Sequence, residues 1–243
     1  MTGLGYSTPW CVNAGFVAGE GETLIVDTGG NTLAAQTILG YAEAVRPGNR
    51  VRVINTEPHF DHIGGNSFFL RRGVEIFGHA LLHRTAEEFA AEQAEFNAGI
   101  ANPMRRAKGE EKAFFFATDL AMPDCLLEAE TVFDLGGVQA EILFTPGHTK
   151  ANLSVWIETE RVLFVGDCVI SEYLPNLDAG CPQLWARWQE SLDRIAALQP
   201  EVIVPGHGPV LRGAGCGKAI EDLRGILRES IALGSSPTKS CCG

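Results

Sequence analysis

The chain has 243 residues, of which 45% are hydrophobic and 20% charged, and its formal net charge at pH 7 is −11. A chain of this length buries one substantial core, and we expect a single domain over residues 1–243. The acidic charge argues against a nucleic-acid partner, which normally requires a clustered basic surface. Because we find neither a long apolar run nor a basic-then-apolar leader, we expect a cytoplasmic protein without membrane contacts.

The predicted elements alternate between strands and helices along the chain. Short β-branched runs bounded by glycine or proline predict buried strands, and they occur at 50–59, 140–148, 161–167 and 201–207. Helical patterns cover 31–45, a short stretch after a predicted Asn66 N-cap, 79–100, 184–200 and 217–233. Strands alternating with helices predict an α/β fold in which helices cover sheet faces.

Two further features concern the organisation of the chain. Residues 15–30 and 154–167 both read as strand, polar turn, strand and then aspartate, which suggests two related halves. Residues 84–130 interrupt the regular succession of predicted strands. We interpret them as a helical insertion that either lies near the entrance of the substrate site or serves only as a structural cover. The seven cysteines lack a C-x-x-C pair, so they do not indicate a disulfide framework or a thiolate zinc site.

The predicted strands end at side chains that bind metals. Four of the six histidines stand at these ends, each beside glycine or carboxylates: His59, His62, His148 and His207. Loops at strand ends are where a rigid sheet can hold catalytic groups. Imidazole together with carboxylate suits zinc, manganese or iron. Since His59, Asp61 and His62 are too close in sequence to share one ion comfortably, their spacing favours two ions a few Å apart.

The motif series resembles a known family. ExHxDH at 57–62, TPGHT at 145–149, GD at 166–167, PGHG at 205–208 and VDTG at 26–29 are similar to the ordered motifs of the metallo-β-lactamase superfamily. The resemblance spans residues 12–212 and implies an αββα sandwich of two mixed sheets flanked by helices. It also implies two divalent ions, Zn²⁺ first among the candidates, at one edge of the sandwich.

The resemblance further implies a role for each ligand position. His59 and His148 would bind the first ion, while Asp61, His62 and His207 would bind the second. Asp167 would bridge the two ions, and Asp27 would buttress the site from a strand end.

Glu57 departs from the family pattern, in which most members carry histidine at the first position of H-x-H-x-D-H. Three interpretations stay open: a ligand of the first ion, a general base, or a side chain turned away so that only the second site is filled. An ionised Glu57 ligand lowers the formal positive charge of a two-ion cluster from two to one and makes it a weaker Lewis acid. Such a ligand also makes manganese or iron acceptable.

The resemblance implies a hydrolase that uses a metal-bridging hydroxide, oriented by Asp61, on a small ester, thioester, lactone or amide, including β-lactams. Two other classes stay open. One is a mononuclear iron oxidoreductase resembling the persulfide dioxygenases, which Glu57 supports through a His-His-carboxylate set. The other is a metallated binding or accessory protein with little catalysis. The sequence leaves the oligomeric state undetermined.

Several other residues are weaker candidates. Tyr173 follows the Asp167 motif and is a candidate substrate contact or a loop-shaping residue. His79 and His83 are four apart, as on one helix face, but lack the glutamate of H-E-x-x-H. We expect Cys168 to be a packing residue. We also expect two tryptophans of one helix to face inward, namely Trp185 and Trp188.

Overall fold

The computed structural model describes residues 12–99, 118–177 and 180–234. Within these ranges the strands form two sheets. The first sheet contains β1 (Gly15–Ala18), β2 (Glu22–Val26), β3 (Arg50–Ile54), β4 (Ile76–His79) and β5 (Cys125–Leu127). The second sheet contains β6 (Thr131–Asp134), β7 (Gln139–Phe144), β8 (Leu153–Ile157), β9 (Val162–Gly166), β10 (Val202–Pro205) and β11 (Leu211–Arg212).

Both sheets mix parallel and antiparallel pairs. In the first sheet, β1 and β2 are antiparallel, whereas β2, β3, β4 and β5 follow one another in parallel. In the second, β9 and β10 are parallel and the remaining pairs are antiparallel. Parallel neighbours end at the same edge of a sheet. The residues that follow β2 and β3 therefore meet at one edge, and so do those that follow β9 and β10.

The helices of the described ranges flank the two sheets. They are α1 (Thr32–Val45), α2 (Phe60–Ile63), α3 (Asn66–Leu70), α4 (Ala86–Gly99), α5 (Pro182–Ala197) and α6 (Ala214–Leu233). The side chain of Asn31 caps α1 by accepting a hydrogen bond from the Ala34 amide at 2.9 Å. None of the helices in the described ranges is both long and apolar enough to cross a membrane.

The alternation of side chains along each strand builds three apolar layers. On β2, Leu24 and Val26 face the second sheet, whereas Ile25 packs against α1 and α3. On β9, Phe164 faces the first sheet, and its neighbours Leu163 and Val165 pack against α5 and α6. The order is therefore helices, sheet, sheet, helices, which confirms the predicted αββα sandwich.

The paired pattern at 15–30 and 154–167 corresponds to two antiparallel hairpins. β1 and β2 form the first, and β8 and β9 form the second, with a short 3-10 turn between them. Each hairpin ends directly before an aspartate, Asp27 in the first sheet and Asp167 in the second. The predicted order of strand, turn, strand and aspartate is confirmed in both segments, and the relation between two halves stays a prediction.

The helix predicted at 79–100 begins later than expected. β4 continues through His79, and α4 starts only at Ala86. The start is fixed by a capping box that sequence patterning missed: the Glu88 amide donates to Thr85 Oγ1 at 3.1 Å, and the Thr85 amide donates to the Glu88 carboxylate at 2.8 Å. His79 and His83 therefore do not share a helix face, and the prediction that a helix begins at residue 79 was wrong.

The N-cap predicted at Asn66 was also wrong. Asn66 is the first residue of α3, and Gly65 precedes it at the cap position. The side chain of Asn66 is fully buried and forms hydrogen bonds with Asn55 and Thr28 instead of capping the helix. Long-range partners, which a local pattern cannot show, therefore determined its role.

The segment 84–130, predicted as an insertion, has two described parts. α4 packs on α2 through Phe89 and Phe60, whose ring centroids are 4.9 Å apart. β5 pairs in parallel with β4 and is one of the two edge strands of the first sheet, so the end of the segment belongs to the sandwich. Residues 100–117 lie outside the described ranges, as does the tail with Cys241 and Cys242.

Candidate metal centre

The predicted ligands meet at one edge of the sandwich. The loop after β3 and the short helix α2 carry four of them, the β7–β8 connection carries one, and the ends of β9 and β10 carry one each. In chain order they are Glu57, His59, Asp61, His62, His148, Asp167 and His207.

Glu57, His59 and His148 form one group of potential ligands. Glu57 Oε2 lies 3.0 Å from His59 Nδ1 and 3.6 Å from His148 Nε2. The two imidazole atoms of this group are themselves 3.0 Å apart. His148 Nδ1 lies 3.1 Å from the Asn176 carbonyl oxygen, which can only accept. The proton of His148 therefore belongs on Nδ1, and the lone pair of Nε2 faces the group.

Asp61, His62 and His207 form a second group. His207 Nε2 lies 3.1 Å from Asp61 Oδ2. His62 Nδ1 lies 2.9 Å from the Asp27 carboxylate. His62 therefore presents its second ring nitrogen, Nε2, to the ligand cluster, as His148 does. The ligand atoms of this group all lie within 4.8 Å of one another.

Asp167 lies between the two groups. Its Oδ1 is 3.3 Å from His62 Nε2, and its Oδ2 is 3.5 Å from His207 Nε2 and 3.7 Å from His148 Nε2. A third group joins Asp167 to Glu57 and His62. The carboxylate of Asp167 thus contacts histidines of both groups, as a bridging ligand would.

The polar atoms at the centre fit divalent cations. His62 Nε2 is close to Glu57 Oε1 and Asp167 Oδ1, at 3.0 and 3.3 Å, but none of these three buried atoms makes a well-oriented hydrogen bond within the described residues. Buried polar groups are normally paired, and a buried charge without a partner is strongly destabilising. Three carboxylates and four imidazoles form a donor set typical of zinc, manganese or iron. The residues present therefore fit the ions that the motifs imply.

The electrostatics of the site agree with cation binding. Burial alone would raise the pKa of the Glu57 carboxyl, but the charges of His59, His148 and His62 outweigh it and lower that pKa. Burial alone would lower the pKa of His207, but Asp167 and Asp61 raise it to about 11. The pKa values of His59 and His62 are raised as well, because nearby carboxylates outweigh burial, whereas burial lowers the pKa of His148. Without a cation, protons on His59, His62 and His207 therefore balance the carboxylates, and metal ions would displace those protons.

Asp27 holds the second group from behind. Its fully buried carboxylate accepts three hydrogen bonds, from the Thr56 amide at 2.8 Å, the Thr56 hydroxyl at 2.7 Å and His62 Nδ1 at 2.9 Å. The residue sits at φ 61°, in the left-handed region that aspartate and asparagine tolerate better than most residues. This position, directly after β2, directs the carboxylate toward the loop after β3.

Sequence reasoning missed Thr56, which connects the two sheets beside Glu57. Its side chain donates to Asp27, and its carbonyl oxygen accepts from the Leu153 amide of β8 at 2.9 Å. A Cβ on Gly166 would clash with the Thr56 side chain, so the glycine before Asp167 is required for this close approach. Thr56 belongs to no recognisable motif, and only its position next to Glu57 hinted at a role.

α4 and Arg84, which precedes it, also contact the ligand loop through polar groups. The Phe60 amide donates to Glu92 at 3.2 Å, and Arg84 Nε donates to the Pro58 carbonyl oxygen at 3.1 Å. Arg84 and Glu92 also form an ion pair. The described part of the predicted insertion therefore braces the loop between Glu57 and Asp61.

The two tryptophans of α5 are buried, as predicted. Trp188 donates from Nε1 to the Cys168 carbonyl oxygen at 2.8 Å, and its ring centroid lies 5.9 Å from that of His148. Cys168 is fully buried in the core, and burial raises the pKa of its thiol to about 12. Cys168 is therefore a packing residue, and Trp188 supports the chain next to two ligands.

The remaining candidates lie away from the ligand cluster. Tyr173 is exposed and lines a cavity of about 510 Å³ with residues of α6, and none of the predicted ligands lines that cavity. A substrate contact by Tyr173 stays a prediction. The ring of His79 packs against that of Phe144 in a tilted arrangement, with centroids 4.1 Å apart, and His79 Nδ1 accepts a hydrogen bond from the Leu81 amide. His83 is exposed.

Comparison with known families gives one match over most of the chain. A family model described as the metallo-beta-lactamase superfamily matches residues 7–207. A beta-lactamase-like protein 2 homolog of Caenorhabditis elegans is 36% identical over 75 residues, which span 31% of this chain and 24% of that protein. A hydroxyacylglutathione hydrolase of Methylococcus capsulatus is 28% identical, with 88% of this chain and 68% of that protein covered. An acyl-coenzyme A thioesterase of Gallus gallus is 26% identical, with 80% and 72% covered.

Solved structures show the same fold. A metallo-beta-lactamase family protein from Thermus thermophilus superposes with a TM-score of 0.68 at 24% identity, covering 94% of this chain and 79% of that one. A metallo-beta-lactamase from Pontibacter korlensis gives a TM-score of 0.64 at 22% identity, covering 90% and 91%. At these identities the likeness concerns the fold alone.

Proposed function

Because the chain belongs to the metallo-β-lactamase superfamily, we propose that it is a metal-dependent hydrolase of thioesters. Its hydrolase relatives and its fold make it an enzyme of the metallo-β-lactamase-fold class. The observation that carries the proposal is the meeting of three carboxylates and four histidines around unpartnered buried atoms. The thioester is favoured because two of the relatives described above act, by name, on thioesters.

The proposed site holds two divalent ions, with Zn²⁺ as the first candidate. One ion is assigned to Glu57, His59 and His148, and the other to Asp61, His62 and His207, with Asp167 between them. When bound, such ions lower the pKa of water and stabilise negative charge on a carbonyl or thioester oxygen. Asp61, whose Oδ2 lies 3.1 Å from His207 Nε2, would hold and orient a water molecule beside the second group.

The test is hydrolysis of matched substrates by protein loaded with zinc. A thioester, its oxoester with the same acyl group, a lactone and a β-lactam are assayed side by side. We expect kcat/KM for the thioester to exceed that for the others at least tenfold, and a chelator to abolish it. The variant Asp167→Asn serves as the inactive control. Turnover of the β-lactam above the thioester would replace the substrate assignment, and no turnover of any substrate would refute the hydrolase.

A second candidate function is supported by one observation. Glu57, His59 and His148 together form the two-histidine, one-carboxylate set that binds iron in non-haem oxygenases. In that case a single iron would occupy the first group, and the protein would be an oxidoreductase. Metal analysis of protein purified from cells distinguishes the two: two zinc ions per chain support the hydrolase, and one iron supports oxygen chemistry.

A further inference from the structure

The two carboxylate oxygens of Glu57 face different groups of ligands. Oε2 lies 3.0 Å from His59 Nδ1 in the first group, and Oε1 lies 3.0 Å from His62 Nε2, which belongs to the second. We propose that Glu57 bridges the two ions, each of its carboxylate oxygens binding one ion; this inference rests on the two-ion site of the proposed function. Glu57 would then act as a second carboxylate bridge beside Asp167, rather than as a ligand of the first ion alone.

The distances fit shared coordination on both sides. Two ligand atoms that each lie about 2.0–2.2 Å from one ion are themselves about 2.8–3.6 Å apart at tetrahedral or octahedral angles. Around Oε2, the three distances that connect Glu57, His59 and His148 are 3.0, 3.0 and 3.6 Å. Around Oε1, the distance to His62 Nε2 is 3.0 Å, and His62 Nε2 lies 3.3 Å from Asp167 Oδ1.

Burial explains why one oxygen alone is insufficient. The side chain of Glu57 is fully buried, and Oε1 has no hydrogen-bond partner. Once His62 Nε2, 3.0 Å away, binds an ion, it has no proton to offer Oε1. A ligand that used only Oε2 would then leave the negative charge on Oε1 without a partner in a dry interior, which is costly. His62 Nε2 and Asp167 Oδ1 are unpartnered and buried in the same place. An ion on the Oε1 side satisfies all three atoms at once.

The chemistry of the side chain points the same way. An imidazole presents a single ring nitrogen to a metal, whereas a carboxylate presents two oxygens. Histidine at this position therefore serves one ion, and glutamate can serve two. The substitution then adds a bridge to the cluster instead of only exchanging one ligand for another.

Stepwise zinc binding tests the bridge without reference to activity. The two dissociation constants are measured by competition with a chromophoric chelator, and the number of bound ions by elemental analysis, for the wild type and for three variants. We expect Glu57→Ala to weaken both binding steps at least tenfold. Glu57→His keeps a ligand for the first ion, so we expect it to weaken one step only. His59→Ala, which removes a ligand of one ion, is the matched control and weakens one step.

Two outcomes would overturn the bridge. If Glu57→Ala weakens one step and Glu57→His weakens none, Glu57 binds one ion only, and the hydrolase proposal is unaffected. If the wild type binds a single ion, both the bridge and the two-ion hydrolase fail. Should the alanine variant not fold by circular dichroism, a crystal structure of the zinc-loaded wild type decides. The bridge requires the two oxygens within about 2.2 Å of different ions.

Discussion

Asp27→Asn is the substitution whose effect the structure defines best. Asparagine keeps the size of the side chain and tolerates the left-handed backbone at this position. If its oxygen continues to accept from the Thr56 amide, its NH₂ group faces Thr56 Oγ1 and His62 Nδ1. Two donors then oppose each other at His62. The imidazole can relieve this only by moving its proton to Nε2, the atom that faces the metal site.

The magnitude follows from the lost interaction. A hydrogen bond to a charged group contributes about 1.5–3 kcal/mol, and about 1.4 kcal/mol corresponds to a tenfold change in a binding constant. We therefore expect Asp27→Asn to weaken zinc binding at the second group by roughly 10–100-fold, in the range known for partners of ligating histidines. The first group does not contact Asp27, so its zinc affinity should stay within about threefold of the wild type, a shift of under ~1 kcal/mol.

The assay is zinc titration against a chelator, combined with nitrogen NMR of the histidine rings to identify the protonated atom of His62. Asp124→Asn is the matched control, because Asp124 also accepts a backbone hydrogen bond in the first sheet, from the Ile76 amide at 2.8 Å, but faces no ligand. Equal affinities at both groups for Asp27→Asn and Asp124→Asn would refute the reasoning. So would an Nδ1-protonated His62 in the asparagine variant.

Three further predictions follow from the same structure. Glu57→His removes a negative charge from the ligand set, which makes the metal cluster a stronger Lewis acid, so the pH profile of hydrolysis should shift to lower pH than that of the wild type. Identical profiles would contradict the assignment of Glu57 as a metal ligand. The pKa of His207 is raised to about 11 beside Asp167. The ion pair of His207 therefore contributes its full stabilisation to the metal-free protein below about pH 6.5, the pKa of histidine in the unfolded chain, and this stabilisation is lost as the pH rises through 11. Zinc must displace that proton, and calorimetry in buffers of different ionisation enthalpy should detect proton release that diminishes at high pH. Trp188→Ala should destabilise the fold by about 3–5 kcal/mol in urea unfolding, whereas Leu174→Ala, at a side chain that is 68% exposed, should change it by less than about 0.5 kcal/mol.

Much of the fold could be predicted from the sequence because it depends on local periodicity. β-branched runs such as Arg50–Ile54 form strands, and the spacing of apolar residues predicted α1 and α5 and the inward side of Trp188. Asn31 caps α1 through its own side chain three residues away. In each case the partners that decide the structure are near in sequence, so a pattern of residues contains the information.

The positions of the candidate ligands could also be predicted from the sequence, but their geometry could not. Histidines and carboxylates at strand ends indicated the edge at which the site lies. Thr56 was missed because its partners, Asp27 and Leu153, are distant in sequence. Asn66 was assigned to a helix cap because its buried partner Asn55 is likewise not visible in a local pattern.

The sequence by itself determined which ligand atoms are available, including the carboxylate at position 57 where histidine is usual. Only the tertiary structure decided where the two oxygens of that carboxylate point. Their direction depends on side chains from separate loops, with His59 and His148 on one side and His62 on the other. Loops joined only through the packing of two sheets have no fixed spacing along the chain. The role of Glu57 is therefore a property of the folded edge of the sandwich and not of the motif that contains it.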